Sequence, residues 1–219
     1  MKVGAWKMSI RFCGMINDFS DLEHGKCPPE AHRLKEGESL DEILSNAMHY
    51  TIPLMILTLA LSVVRIHKGL NWEMGTDIWE IIVVTLGVIF LYGMLVFAHE
   101  YVHILFYPWN ADKEIWIYDS QVALVYCNTP MTRGHFMVMC LAPLTLLGFI
   151  PFILWMLFAQ IPSPTMAIAW MLLCWSMIFG GLGDYYNVAN VLSQVPRGAL
   201  VFNYGMHTYW IEKKDWPEY

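Results

Sequence analysis

Charge is what this sequence has least of. Only 15% of its 219 residues are Asp, Glu, Lys or Arg, while 57% are hydrophobic and the mean hydropathy is +0.43. That balance is far from the one that an ordinary soluble domain of this length carries, and it predicts an integral membrane protein. Cysteine is also sparse: five residues, an odd number with no C-x-x-C pair, which argues for reduced thiols rather than a disulfide framework. The opening "MKVGAWKMSIRFCGMINDFSD" scatters charges where a signal peptide would place an apolar run, so it reads as a soluble arm. A net charge of -6 argues against nucleic-acid partners. Nothing in the chain suggests a phosphate-binding loop, a serine nucleophile or a haem site.

Apolar runs are what the chain has instead. Four stretches carry no Asp, Glu, Lys or Arg: Tyr50–Val64, Ile81–Ala98, Phe136–Ala159 and Met166–Gly183. The last three reach the ~17–25 residues that a spanning helix needs, and the first does so if Arg65 snorkels and the helix starts earlier. Ser39 and Glu42 form an S-x-x-E capping box ahead of "ILSNAMHY", which starts a helix there. The expected fold class is therefore an all-α polytopic membrane protein with about four transmembrane helices and short cytoplasmic β-hairpins. Its segments are an arm with a lead-in helix (1–49), a membrane domain (50–194, with spans near 50–66, 80–106, 135–159 and 165–183) and a tail (195–219). Pro28-Pro29 and the charged stretch to Glu38 read as linker. With both termini in the cytoplasm, eleven Lys and Arg residues lie inside and two outside, as the positive-inside rule requires, so the expected location is a cell membrane crossed several times. Trp72, Trp79, Trp155 and Trp170 at one set of span ends, with Tyr107, Trp109, Trp116 and Tyr118 at the other, read as an interfacial aromatic belt.

Three ionisable residues interrupt this apolar pattern. In "FAHEYVHILF", residues 97–106, His99, Glu100 and His103 stand where a charge costs several kcal/mol unless it is paired or bound to metal. They form an H-E-x-x-H motif. On a helix the two histidines, four apart, face the same way and can bind one zinc ion, and Glu100 beside them can take a proton from water. A third ligand follows from depth. His99 comes 18 residues after Ile81, and Asp184 comes 18 after Met166, in two spans that descend in the same direction. At 1.5 Å per residue both lie roughly 27 Å below the outer ends of their helices. Asp184 sits in "GGLGDYYN", where the glycines allow close backbone approach and a break in the helix. Two imidazoles and a carboxylate at one level leave a fourth position open, as catalytic zinc requires.

These residues resemble a known family. "HEYVH" late in one span and "GGLGD" ending a later one look like the putative zincin peptidases, small membrane proteins related to the site-2 type of intramembrane metalloprotease. "RGHFMVMCLAPL", with Pro143 inside the third span, and "VPRGALV" share the resemblance, which covers roughly residues 80–210. It implies that His99, His103 and Asp184 are zinc ligands and that Glu100 is the base. The chain departs from the site-2 proteases in one place: they carry an Asp-Gly pair with an upstream Asn-Pro element, and here Asp184 is followed by Tyr185.

Other polar residues take secondary roles. His135, on the cytoplasmic border of the third span, and Asn187, three residues beyond Asp184, are candidates for orienting the ligands or touching substrate. Glu212, His207, Asp112 and Asp119 read as solvated surface groups. "KEIWIYDSQVALVYCN" (113–128) reads as a hairpin turning at Asp119-Ser120, and "ALVFNYGMHTYWI" (199–211) as a second turning near Gly205. The first could hold an extended substrate strand by β-augmentation. The leading functional expectation is a zinc-dependent endopeptidase cutting a membrane protein or peptide within or beside the bilayer. The alternatives are an inactive partner-binding scaffold that keeps the fold and metal, and, less well supported by histidine count, a di-iron membrane oxidase.

Overall fold

The computed structural model describes residues 9–69, 77–119, 122–158, 160 and 163–217. Trp72, Ser120 and Ala159 lie outside them. The uncharged runs lie in helices. Helix α1 (Leu40–Gly69) begins directly after Ser39, where the capping box predicts. Helix α2 (Ile78–Phe106) contains the whole HEYVH motif. Helices α3 (Arg133–Pro143) and α4 (Ile150–Phe158) are joined by a π-helical segment at Leu144–Phe149, so that residues 133–158 form one continuous rod. Helices α5 (Pro164–Gly180) and α6 (Leu182–Gln194) are bent by 41° at Gly181. Among the described residues three helices are long and apolar enough to cross a membrane, or four if the bent pair is one span.

The chain divides into two compact units. One comprises Leu40–His99 and Pro143–Tyr186. Its core gathers Phe152, Trp155, Cys174 and Ile178, with Leu54, Ile66 and Phe179 packed around them. Trp155 is therefore a core residue, 4% exposed, and no part of an interfacial belt. Outward-facing Val83, Leu86, Phe90 and Phe97 on α2 are all more than 60% exposed, a surface suited to lipid rather than water. Buried hydroxyls on α1 are satisfied within the helix: Thr58 donates to the Leu54 carbonyl and Ser62 to that of Thr58. Ser163 caps α5 by accepting from the Met166 N–H and donates its own hydroxyl to Glu80 on α2.

The other unit comprises Met1–Ser39, Glu100–Ala142 and Asn187–Tyr219. It holds the expected hairpins and extends each of them into a small sheet. The two expected hairpins form, as β3 (Asp112–Tyr118) with β4 (Val122–Tyr126) and β6 (Leu200–Tyr204) with β7 (His207–Ile211), the second turning at Gly205 with φ +60°. Each is widened into a sheet by the arm. Strand β1 (Ser9–Ile16) lies parallel to β3, and β2 (His32–Arg33) lies antiparallel to β7, while β5 (Met131–Thr132) closes the second sheet against β6. The stretch from Pro28 to Glu38 is thus structural: Leu34 is 2% exposed, and Gln194 clamps the backbone of Lys35 on both sides. Charge in that stretch hid its pairing, because the partner strand is about 175 residues away. Lys113 is fully buried and donates to the carbonyls of Pro108, Trp109 and Ala111, tying down the turn that follows α2.

Candidate metal centre

The centre starts from helix periodicity. His99 and His103 are one turn apart on α2, an unbroken helix, so their rings emerge on the same side. Asp184 reaches them because the chain breaks just before it. Gly181 ends α5, and Asp184 falls in the first turn of α6, where the free N–H groups of a helix start favour a negative side chain. The Asp184 N–H bonds back to the Gly181 carbonyl. The break leaves carbonyls of α5 without helical donors, and the Tyr185 hydroxyl donates to one of them, Ile178, at 2.9 Å. The residue that departs from the Asp-Gly pattern thus has a structural use.

Gly181 keeps space clear beside the site. A Cβ built there would stand 2.5 Å from Leu144 Cδ2, 2.6 Å from Asp184 Oδ2 and 3.2 Å from His99 Cε1. The backbone passes so close to these side chains that a Cβ there would displace the ends of Leu144 and Asp184 from the positions they hold.

His99 Nε2 lies 3.3 Å from Asp184 Oδ2, with both side chains 12% exposed. One ligand atom from each of His99, His103 and Asp184 lies within 4.8 Å of the others. A metal fits this set. Zinc–nitrogen and zinc–oxygen bonds of about 2.0–2.2 Å at a tetrahedral angle give ligand–ligand separations of about 3.3–3.5 Å. Charge-assisted hydrogen bonds between nitrogen and carboxylate are shorter, about 2.7–2.9 Å. The observed separation has the length of a zinc coordination edge. His103 is 9% exposed, and its Nδ1 donates to the Met139 carbonyl at 3.1 Å, which leaves Nε2 with the lone pair that a metal takes.

Other residues expected near the site lie as follows. Glu100 is half-buried on α2, next to His99. Asn187 is half-buried on α6, three residues past Asp184 and so on the adjoining surface of that helix. His135 is committed elsewhere: its Nε2 donates to the carbonyl of Phe106, the last residue of α2, at 2.6 Å. His207 is not a solvated surface group; Nδ1 pairs with Glu36 at 3.2 Å, and the Thr208 N–H donates to the same carboxylate oxygen at 2.7 Å. Burial raises Glu36 to about 7 and lowers His207. Glu212 is exposed and pairs with Lys214. Asp112 is exposed at the start of β3, and Asp119 holds the hairpin turn with φ 45°.

Two contributors escaped the sequence reading. The Met139 carbonyl is invisible in side-chain patterns, although a proline four residues later is a signal for a released carbonyl. The π-helical segment, whose first residue Leu144 abuts Gly181, carries no distinctive composition.

No curated protein and no solved structure matches the chain. The model of the family described as "Putative zincin peptidase" matches residues 92–200, a segment that includes His99, Glu100, His103 and Asp184, and through it the chain belongs to that family.

Proposed function

We propose that this protein is a zinc-dependent endopeptidase acting within or beside the membrane. His99, His103 and Asp184 hold the metal in this reading, and the observation that carries it is the convergence of their donor atoms, with the His99–Asp184 separation at coordination-edge length. Zinc bound there supplies Lewis acidity toward a peptide carbonyl. Glu100, adjacent to a ligand without being one, takes a proton from the attacking water and passes it to the leaving amine. The Met139 carbonyl holds the His103 ring in one tautomer, and Gly181 lets the Asp184 carboxylate approach His99.

The pairing of strands supports a common side for the arm, the loop after α2 and the tail. Strands joined by backbone hydrogen bonds cannot be separated by a bilayer, and β1–β3 and β2–β7 tie those three segments together. With two apolar helices between the arm and β3, this parity fits a multi-pass protein with both termini in the cytoplasm. A substrate must be extended to be cut, and the sheet offers it a place. Strand β3 is paired on both sides, by β1 and β4, so the edge left for β-augmentation in the hairpin is that of β4.

Glu100→Gln tests the mechanism. The variant keeps size and hydrogen-bonding capacity, so it should insert and bind zinc as wild type does. It should cleave a membrane-tethered test substrate at least ~10²-fold more slowly. Equal cleavage by both proteins would reject Glu100 as the base.

A further inference from the structure

Within an α-helix the carbonyl of residue i accepts from the N–H of residue i+4. For Met139 that donor would be residue 143. Residue 143 is proline, which has no N–H, although it is still the last residue of α3. A carbonyl deep in a helix, 36 residues away from the metal motif in sequence, is therefore released from its usual partner. It is the same carbonyl that receives His103 Nδ1–H at 3.1 Å in buried surroundings. Each observation explains the other. Without a second donor, a buried Met139 carbonyl freed by proline would be left unsatisfied, and without an acceptor so would the Nδ1–H of a buried imidazole, and buried polar groups are costly to leave in that state.

The geometry points to Pro143 as the positioning residue of the metal centre: by denying Met139 its helical partner, it reserves that carbonyl for His103 Nδ1–H and so fixes the tautomer in which Nε2 carries the lone pair for metal. This rests on the reading of His99, His103 and Asp184 as ligands. Pro143 touches no reacting atom. It acts through two intermediaries, one carbonyl and one imidazole, and the consequence is ligand basicity and orientation. An N–H at position 143 would compete for Met139. The His103 proton would then divide between Nδ1 and Nε2, and the fraction of protein with Nε2 ready for metal would fall.

Pro143→Ala restores the N–H, and Pro53→Ala makes the same change inside α1, which carries no proposed ligand. Both remove a proline from a helix interior, a change that favours the helix. Metal-stripped wild type and variants in detergent would be titrated with zinc against a chromophoric chelator. In parallel, 15N spectra of histidine-labelled, metal-free protein would report the His103 tautomer. Wild type should bind one zinc and show Nδ1–H at His103. Pro143→Ala should bind about tenfold more weakly and show a mixed tautomer, while Pro53→Ala should match wild type in both. Zinc affinity of Pro143→Ala within about twofold of wild type would overturn the role of Pro143, as would an equal loss in Pro53→Ala. An Nε2–H tautomer at His103 in the wild type would overturn it with no variant needed, should Pro143→Ala fail to fold. Absence of zinc binding in the wild type would instead reject the ligand set, and Pro143's role with it.

Discussion

His99 and Asp184 meet across 3.3 Å where a 41° bend at Gly181 breaks the helix within one turn of the carboxylate. Neither residue is near the other in sequence, and neither is exposed by more than 12%. A pair so placed needs a cation, a proton or a metal between its facing atoms, because unpaired ionisable groups in such surroundings are expensive.

The first expectation concerns metal content. Purified wild type should carry about one zinc per chain, and His99→Ala and Asp184→Ala should each lose most of it, since two remaining ligands rarely hold the ion through purification. Elemental analysis of the three proteins decides it. Stoichiometric zinc in Asp184→Ala would move the third-ligand role to another residue.

Gly181→Ala should separate metal binding from folding. The new Cβ would meet the flexible ends of Leu144 and Asp184, which can swing aside, so the protein should still fold. The carboxylate would be pushed off its position beside His99. We expect zinc affinity to fall by about tenfold or more, measured by chelator competition, with a thermal midpoint near that of wild type. Unchanged affinity would show that Asp184 has freedom that the close approach denies it.

Tyr185→Phe removes the hydroxyl that satisfies the Ile178 carbonyl at the break. It should cost about 1 kcal/mol, lowering the thermal midpoint by about 2–4 °C, and leave zinc stoichiometry intact. A midpoint at the wild-type value would mean that the released carbonyl finds another donor.

Glu36 gives a pH signature outside the helices. Burial raises its carboxyl from 4.5 to about 7, opposed by the Thr208 N–H and by Arg33. Between those values the folded state binds more protons than the unfolded one, so the contribution of this group to stability is full below about pH 4.5 and lost as pH rises through 7. His207, lowered by burial, runs the other way and contributes above its unfolded value. Glu36→Gln keeps an oxygen for Thr208 and His207 but cannot ionise. Thermal melts against pH should show the variant gaining on wild type above pH 7 by roughly 1–3 kcal/mol. Parallel curves across that range would contradict a buried, proton-holding Glu36.

Strand pairing requires one common side for the arm, the loop after α2 and the tail, and the proposed orientation makes that side the cytoplasm. Single cysteines at exposed Glu30, Asp112 and Lys214 should all resist an impermeant thiol reagent in intact cells and react after lysis. Asn203 is a poorer reporter, because its carbonyl and amide are engaged by Asn128 and Tyr107. Labelling of all three from outside would invert the orientation. Labelling of one alone would break the β1–β3 or β2–β7 pairing.

The local features of this protein were legible in its sequence. Long uncharged runs make helices because an apolar segment satisfies its backbone only by coiling on itself. The HEYVH spacing puts two imidazoles on one side of α2 by helical period alone, and turn residues at Asp119 and Gly205 bend the two hairpins. Counting along the spans even brought Asp184 to the level of His99. Contacts between distant segments were decided only in the folded chain. Strand β1 finds its partner about 100 residues away, and β2 about 175, so the polar arm looked like linker. The carbonyl of Met139 serves His103 across 36 residues, and backbone atoms leave no mark in a residue pattern. Gly181 was recognisable as a place for close approach, but what approaches it, the Asp184 carboxylate, the His99 ring and Leu144, is a property of packing. Sequence specifies what lies within a turn or a hairpin because covalent connection holds those groups together; everything further apart meets only when burial of apolar surface selects one arrangement.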